Sequence, residues 1–137
     1  MTQAVASTLP LRIYYEDTDF SGFVYHARYL HFFERGRTEA LRGLGIDQRA
    51  MFEAEGGPSS FVVRRMTIDF RSPARMDDMV NVETRITDLG GATIEMRQVL
   101  RRGDEVLASV EVSIAHLANG RPKRLPQAMR DKLAALR

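Results

Sequence analysis

The sequence contains no cysteine. That excludes disulfides, thiolate zinc sites and a cysteine nucleophile, and it fits a cytoplasmic protein. It also lacks any apolar run near the roughly 18 residues needed to cross a bilayer. Met1 to Thr8 have neither the charged start nor the long apolar stretch of a signal peptide, so residues 1–9 read as a flexible terminus. No phosphate-binding loop or dinucleotide fingerprint is present, because the one Gly-Gly pair outside the 56–58 turn, Gly90-Gly91, falls between strand patterns and not before a helix. No basic stripe with interleaved aromatics marks a nucleic-acid surface. Asp17, Asp19, His26 and His31 offer metal donors, but the two histidines are five apart and miss a common helix face, so no metal and no cofactor is expected. Neither a repeat nor a domain boundary interrupts the chain.

What is present is 137 residues, 44% apolar and 28% charged, enough for one globular domain with a single core. The net charge of +2 is carried mostly by arginine, which either recognises phosphate or only keeps the surface soluble. Leu11, Ile13 and Tyr15 alternate on one face of a half-buried strand. From about Val24 to Leu44 the period becomes helical, with Tyr29, Phe33, Gly36 and Ala40 on one stripe and an Arg35/Glu39 pair on the other side. Gly36 costs about 1 kcal/mol in a helix interior, and its place on the buried stripe predicts close approach of helix to sheet. Asp47 caps a short helix to about Glu55, ended by Gly56-Gly57-Pro58. Four alternating strands follow, marked by Val62/Met66/Ile68/Phe70, Val80/Val82/Thr84/Ile86, Ala92/Ile94/Met96/Leu100 and Val106 to Ile114. Short glycine-containing turns at 88–91 and 102–104 predict antiparallel hairpins. Residues 120–126 read as a loop and 127–137 as a short terminal helix. The expected class is α+β: a long central helix wrapped by a five-stranded, largely antiparallel sheet. An open sheet edge predicts pairing with a second copy.

One stretch, YYEDTDFSGFVYHARYLHFFE at 14–34, gathers four acidic residues, two histidines and eight aromatics. Asp19 lies in the turn between strand and helix, and Gly22 permits a tight turn or close approach to a ligand. The first N–H groups of the helix, around Val24 to His26, lack intrahelical partners and sit at the positive end of its dipole. They can hold a carbonyl oxygen as negative charge develops on it. A carboxylate just upstream can attack that carbonyl or activate water. The plainer readings are that Asp19 caps, that Asp17 and Glu16 cap or are solvated, that His26 is a surface or hydrogen-bonded residue and that Tyr15 is core.

Residues 12–45, RIYYEDTDFSGFVYHARYLHFFERGRTEALRGLG, and residues 61–80, FVVRRMTIDFRSPARMDDMV, resemble the hot-dog-fold acyl-CoA thioesterases of the 4-hydroxybenzoyl-CoA thioesterase family. The nearest branch is the YbgC type, associated with the Tol–Pal cluster, and the likeness runs from about Leu11 to His116. It implies a hot-dog fold over one domain, 1–137, and hydrolysis of an acyl-CoA to a carboxylic acid and free CoA. It implies that Asp19 is the catalytic aspartate, with Tyr15 and His26 around it and the His26 amide on the thioester carbonyl. Gly22, Val24, Tyr25, Val63 and Arg64 are the implied substrate-binding positions, with Arg64 and Arg65 as candidate phosphate contacts or plain exposed strand arginines. Small residues are commoner in this family where Phe20 stands, which bears on pocket shape. The implied partners are acyl-CoA, a second copy as homodimer or dimer of dimers, and an acyl carrier protein as a further candidate. A non-catalytic acyl-CoA or acyl-carrier binding module, and a hydratase on the same scaffold, are the competing expectations.

Overall fold

The computed structural model describes residues 7–54 and 58–137. The chain runs β1 (Ser7–Arg12), α1 (Arg28–Gly43), α2 (Gln48–Glu53), β2 (Ser59–Phe70), β3 (Met79–Leu89), β4 (Thr93–Arg102), β5 (Glu105–Ala118), β6 (Arg121–Pro122) and α3 (Gln127–Leu133). The five main strands form one antiparallel sheet in the order β1-β3-β4-β5-β2, and the two-residue β6 adds to β5. The alternation of β3 and β4 holds as expected; in β5 a register shift opposite Leu100/Arg101 puts Leu107, in place of the expected Val106, in the core beside Ala108 and Val110. Val80, Val82, Ile86, Ile94, Met96 and Leu100 are buried on the face that receives α1. The outer face pairs its charges across strands: Arg97 with Glu111 at 3.4 Å, Arg101 with Glu83 at 3.0 Å, and Ser113 donating to Glu95 at 2.7 Å.

Gly36 lies where α1 presses on the sheet. A Cβ there would meet Val82 Cγ1 at 2.4 Å, Gln98 Nε2 at 3.1 Å and Thr84 Oγ1 at 3.2 Å. At this level the core is polar. Gln98 Nε2 donates to Phe33 O (2.8 Å) and Thr84 Oγ1 (2.9 Å), and its Oε1 accepts from Arg37 Nη1 at 3.1 Å. One apolar cluster, including Ile13, Val24, Tyr29, Phe33, Val82 and Leu100, lies on one side of this layer. The other, including Ala40, Ile86, Met96, Val112, Leu125 and Leu133, lies beyond it.

Several boundaries differ from expectation for local reasons. Ser7, Thr8 and Leu9 are not a loose terminus: they pair with Thr84, Glu83 and Val82 in β1. Residues 1–6 and the predicted turn at Gly56-Gly57, with Glu55, lie outside the described residues. The first strand ends at Arg12, and Tyr15 opens a 3-10 turn (Tyr15–Asp17), so its side chain is 77% exposed and not core. The Asp17 carboxylate causes this by accepting from Tyr14 N at 2.8 Å, which turns the chain off the strand line. The long helix starts at Arg28, later than Val24, because Val24 N–H goes to Ala74 O (2.9 Å) and Tyr25 N–H to Asp17 O (2.9 Å). Glu39 is taken by Arg42 instead of Arg35. In β2 a bulge leaves Arg64 without a partner between Val63↔Ile114 and Arg65↔Ser113. The slip puts Phe61 on the same side as Met66 and turns Val62 outward, against the simple alternation. Residues 121–122 are strand, not loop.

Candidate active site

The chain between β1 and α1 forms a small hairpin. Thr18 bridges Val24, Asp19 N–H donates to Phe23 O at 3.0 Å and Gly22 N–H donates to Asp19 O at 3.0 Å. Gly22 sits at φ 86°, a left-handed conformation that glycine adopts without penalty, so the turn Asp19-Phe20-Ser21-Gly22 closes tightly. A second bridge, Phe23 to Arg75, and the Val24–Ala74 bond dock this hairpin onto the segment between β2 and β3.

The two aspartates of the hairpin have different fates. Asp17 is 4% exposed; its Oδ1 accepts from Arg28 Nε at 3.0 Å and Nη2 at 2.7 Å, while Oδ2 accepts from Tyr14 N–H. It is consumed in tying the hairpin to the start of α1. Asp19 is exposed, and only Oδ1 is engaged, by Ser21 N–H at 2.8 Å and Ser21 Oγ–H at 2.5 Å. The Ser21 hydroxyl, and after it the Ser21 amide, hold the Asp19 carboxyl below the usual carboxylate range; partial desolvation opposes them and a weaker influence of nearby His26 adds to them. Asp19 is therefore ionised at neutral pH, with Oδ2 available for chemistry.

Downstream, the first bonds of the helical turn come from Arg28 N–H to Tyr25 O (2.8 Å), Tyr29 N–H to His26 O (3.3 Å) and Leu30 N–H to Ala27 O (3.2 Å). Among the described residues no protein group accepts from the N–H of His26 or of Ala27. Two amides at the positive end of a 16-residue helix thus stay open beside the hairpin that carries Asp19. The exposed His26 ring lies against Tyr25 (centroids 4.6 Å apart) and edge-on to Phe70 (6.5 Å). Negative oxygen on one side and amide donors on the other is an arrangement suited to attack on a polarised carbonyl.

Of the expected site residues, the fold gathers Asp19, Gly22, Val24, Tyr25 and His26 into this hairpin and helix start. Tyr15 stands exposed at its base, and Val24 is buried as a strut. Val63 and Arg64 are not brought in. They lie seven and six residues back along β2 from Phe70, the His26 neighbour, or about 20 Å at strand rise. Sequence reasoning gave Ser21 no role, although its spacing two residues after an aspartate is that of an Asx-type turn. It also passed over Ala74 and Arg75, which dock the hairpin through backbone bonds that leave no pattern in the sequence. Among the described residues no group of three His, Cys, Asp or Glu could hold a metal ion.

The model of the Thioesterase superfamily matches residues 21–109. The chain is 45% identical to the acyl-CoA thioesterase YbgC of Haemophilus influenzae over 116 residues, covering 85% of this chain and 84% of that one. A crystal structure of a probable thioesterase from Bartonella henselae superposes with a TM-score of 0.84 at 45% identity, covering 87% of this chain and 98% of that one. A thioesterase of Thermus thermophilus, crystallised with coenzyme A and Zn, superposes with a TM-score of 0.84 at 25% identity, covering 98% of this chain and 97% of that one.

Proposed function

This chain belongs to the Thioesterase superfamily, and from that premise we propose that it is an acyl-CoA thioesterase, converting an acyl-CoA and water into a carboxylic acid and free CoA. The observation that carries the reading is the pairing of an exposed, ionised Asp19, fixed by Ser21, with the open amides of His26 and Ala27. In the proposed reaction the thioester C=O accepts from those amides as its oxygen gains charge. Asp19 Oδ2 either attacks the carbonyl carbon, expelling the CoA thiolate and leaving an anhydride that water cleaves, or removes a proton from the attacking water. The His26 ring and the Tyr15 hydroxyl orient substrate or water at the mouth of the site. Gly22 and Tyr25 flank the acyl group.

The working unit is proposed to be a homodimer, alone or doubled. Among the described residues β2 pairs only with β5, and an open edge of 12 residues with exposed Val62 and Val63 favours sheet continuation. Two copies of one strand related by a two-fold axis run antiparallel. Over the full strand such pairing would set Val63 and Arg64 of the partner subunit opposite Met66 and Arg65, nearer Phe70 than this chain's own copies. The cytoplasm, where CoA thioesters are made and used, is the compartment this chemistry implies, and an acyl carrier protein is an alternative donor of the acyl group. Among the described residues no helix is long and apolar enough to cross a membrane.

The test is thiol release from short, long and aromatic acyl-CoAs by the unaltered protein and by Asp19→Asn. We expect turnover on the best substrate and a loss of about 10²–10⁴-fold in the variant. Full activity in Asp19→Asn would refute the mechanism. Saturable acyl-CoA binding with no thiol released by the unaltered protein would favour a binding module.

A further inference from the structure

The hairpin that carries Asp19 is tied to α1 by the Asp17–Arg28 pair and to the core by Val24, and it has one further support. That support is the connection between β2 and β3. Val24 N–H donates to Ala74 O at 2.9 Å, and Phe23 bridges Arg75 with the Arg75 guanidinium 5.3 Å from the Phe23 ring centre. Besides the backbone bonds of Asp77 and Asp78 with Ile13 and of Ser72 with Leu107, the connection is held by one carboxylate. Asp78 Oδ2 accepts from Arg75 N–H at 2.8 Å and from Arg102 Nη1 at 2.7 Å, while Asp78 N–H donates to Arg75 O at 3.1 Å. Arg102 also donates to Pro73 O at 3.2 Å and, through Nη2, to Glu105 at 2.7 Å. From the other side, the buried Tyr29 hydroxyl accepts from Ala74 N–H at 3.0 Å.

We propose that Asp78, clamped by Arg102, is a positioning residue for the reaction: it fixes residues 73–75, which set where the Asp19 hairpin stands relative to the open amides of α1. It touches no reacting atom. Three features favour this role over a general contribution to stability. Asp78 and Arg102 are only partly buried, with side chains 22% and 29% exposed, so they are not core. Their bonds converge on the backbone of one short segment. That segment's remaining inward bonds go to the hairpin and to Tyr29 at the start of α1, the two halves of the site. Misplacement by about 1 Å of a group that must meet a carbonyl carbon costs on the order of 100-fold in rate.

The inference rests on the proposed thioesterase activity, and its test has an arm independent of activity. Asp78→Ala and Arg102→Met, with the conservative Asp78→Asn and Arg102→Lys in case the first pair fold poorly, are compared well below their melting temperatures. Hydrogen exchange is read at the Val24 amide, with Val110 in the core as control. Asp78→Ala is expected to speed Val24 exchange at least tenfold with Val110 unchanged, and to lower kcat about 10- to 100-fold with KM within about threefold. Asp78→Asn, which keeps an acceptor for Arg75 N–H, is expected to recover most of both. In an Asp19→Asn background the Asp78 change is expected to cost little further activity, because both act through one carboxylate. Unchanged Val24 exchange in all four variants overturns the proposal whether or not the protein cleaves thioesters. Unchanged kcat, or a loss equal in the presence and absence of Asp19, overturns its link to catalysis. Absence of any thioesterase activity in the unaltered protein would instead refute the functional reading and leave the exchange result to stand on its own.

Discussion

Replacing Gly36 by alanine sets two known effects against each other. In a solvent-exposed helix Gly→Ala gains about 1 kcal/mol from backbone entropy and propensity. At Gly36 the added methyl would lie 2.4 Å from Val82 Cγ1, well inside van der Waals contact, and close to Gln98 Nε2 and Thr84 Oγ1. Val82, Thr84 and Gln98 are fully buried and so have little room to yield. Moving the helix outward instead would stretch the 2.8 Å bond from Gln98 to Phe33 O. Overpacking of this kind costs about 1–3 kcal/mol, and adding a weakened buried hydrogen bond of about 1 kcal/mol leaves a net loss of about 1–3 kcal/mol after the propensity gain. Unfolding entropy of about 2.1 cal/mol/K per residue, taken over the whole chain, turns that into a fall in Tm of about 3–10 °C. Thermal and urea melts followed by circular dichroism measure it, with the denaturant slope unchanged. An unchanged or higher Tm would refute the claim that helix and sheet touch at Gly36.

Three further outcomes follow from the hairpin. Ser21→Ala removes the largest influence that lowers the Asp19 pKa. Asp19 works ionised, so activity falls as pH drops through its pKa, and the acid limb of kcat/KM is expected to move to higher pH, toward the ordinary aspartate value of about 3.9; a limb that stays put or moves down would be contrary. Arg28→Met leaves the buried Asp17 carboxylate with only the Tyr14 amide, at a cost of about 2 kcal/mol in urea unfolding, reduced from the fully buried case because Arg28 is partly exposed. Tyr29→Phe strands the Ala74 N–H, whose residue is fully buried, and should cost about 1–3 kcal/mol; a change below about 0.5 kcal/mol would show that another acceptor steps in.

The central strands β3 and β4 were legible because each buries one face, and that demand writes a two-residue period into the sequence; in β5 the bulge at Leu107 breaks it. The choice of Asp19 over Asp17 as the catalytic candidate came from the family resemblance, whose aspartate precedes an x-x-Gly turn; the residues alone left capping and chemistry both open, and the structure shows Gly22 at positive φ in that turn. The misreadings occur where a side chain overrides the local period. Tyr15 continues the alternation of Leu11 and Ile13, but the Asp17 carboxylate captures the Tyr14 amide and turns the chain first. Val62 fits the spacing of Met66 and Ile68, but the unpaired Arg64 shifts the parity between them. β1 begins early among residues Ser7 to Pro10 that carry no strand pattern; as an edge strand it tolerates Pro10, which pairs with Asn81 across the ladder. The role of residues 73–78 rests on backbone bonds spanning distant positions, which neither propensity nor periodicity encodes.

The hydrogen-bonded layer of Gln98, Thr84 and Arg37 works as a bulkhead between two apolar compartments that meet at Met66. Substitutions on opposite sides of it should add in free energy, while those on one side should interact. The compartment beneath the Asp19 hairpin can then be re-shaped for a different acyl group, with the far compartment, sealed by Leu125 and Leu133, holding the chain folded meanwhile.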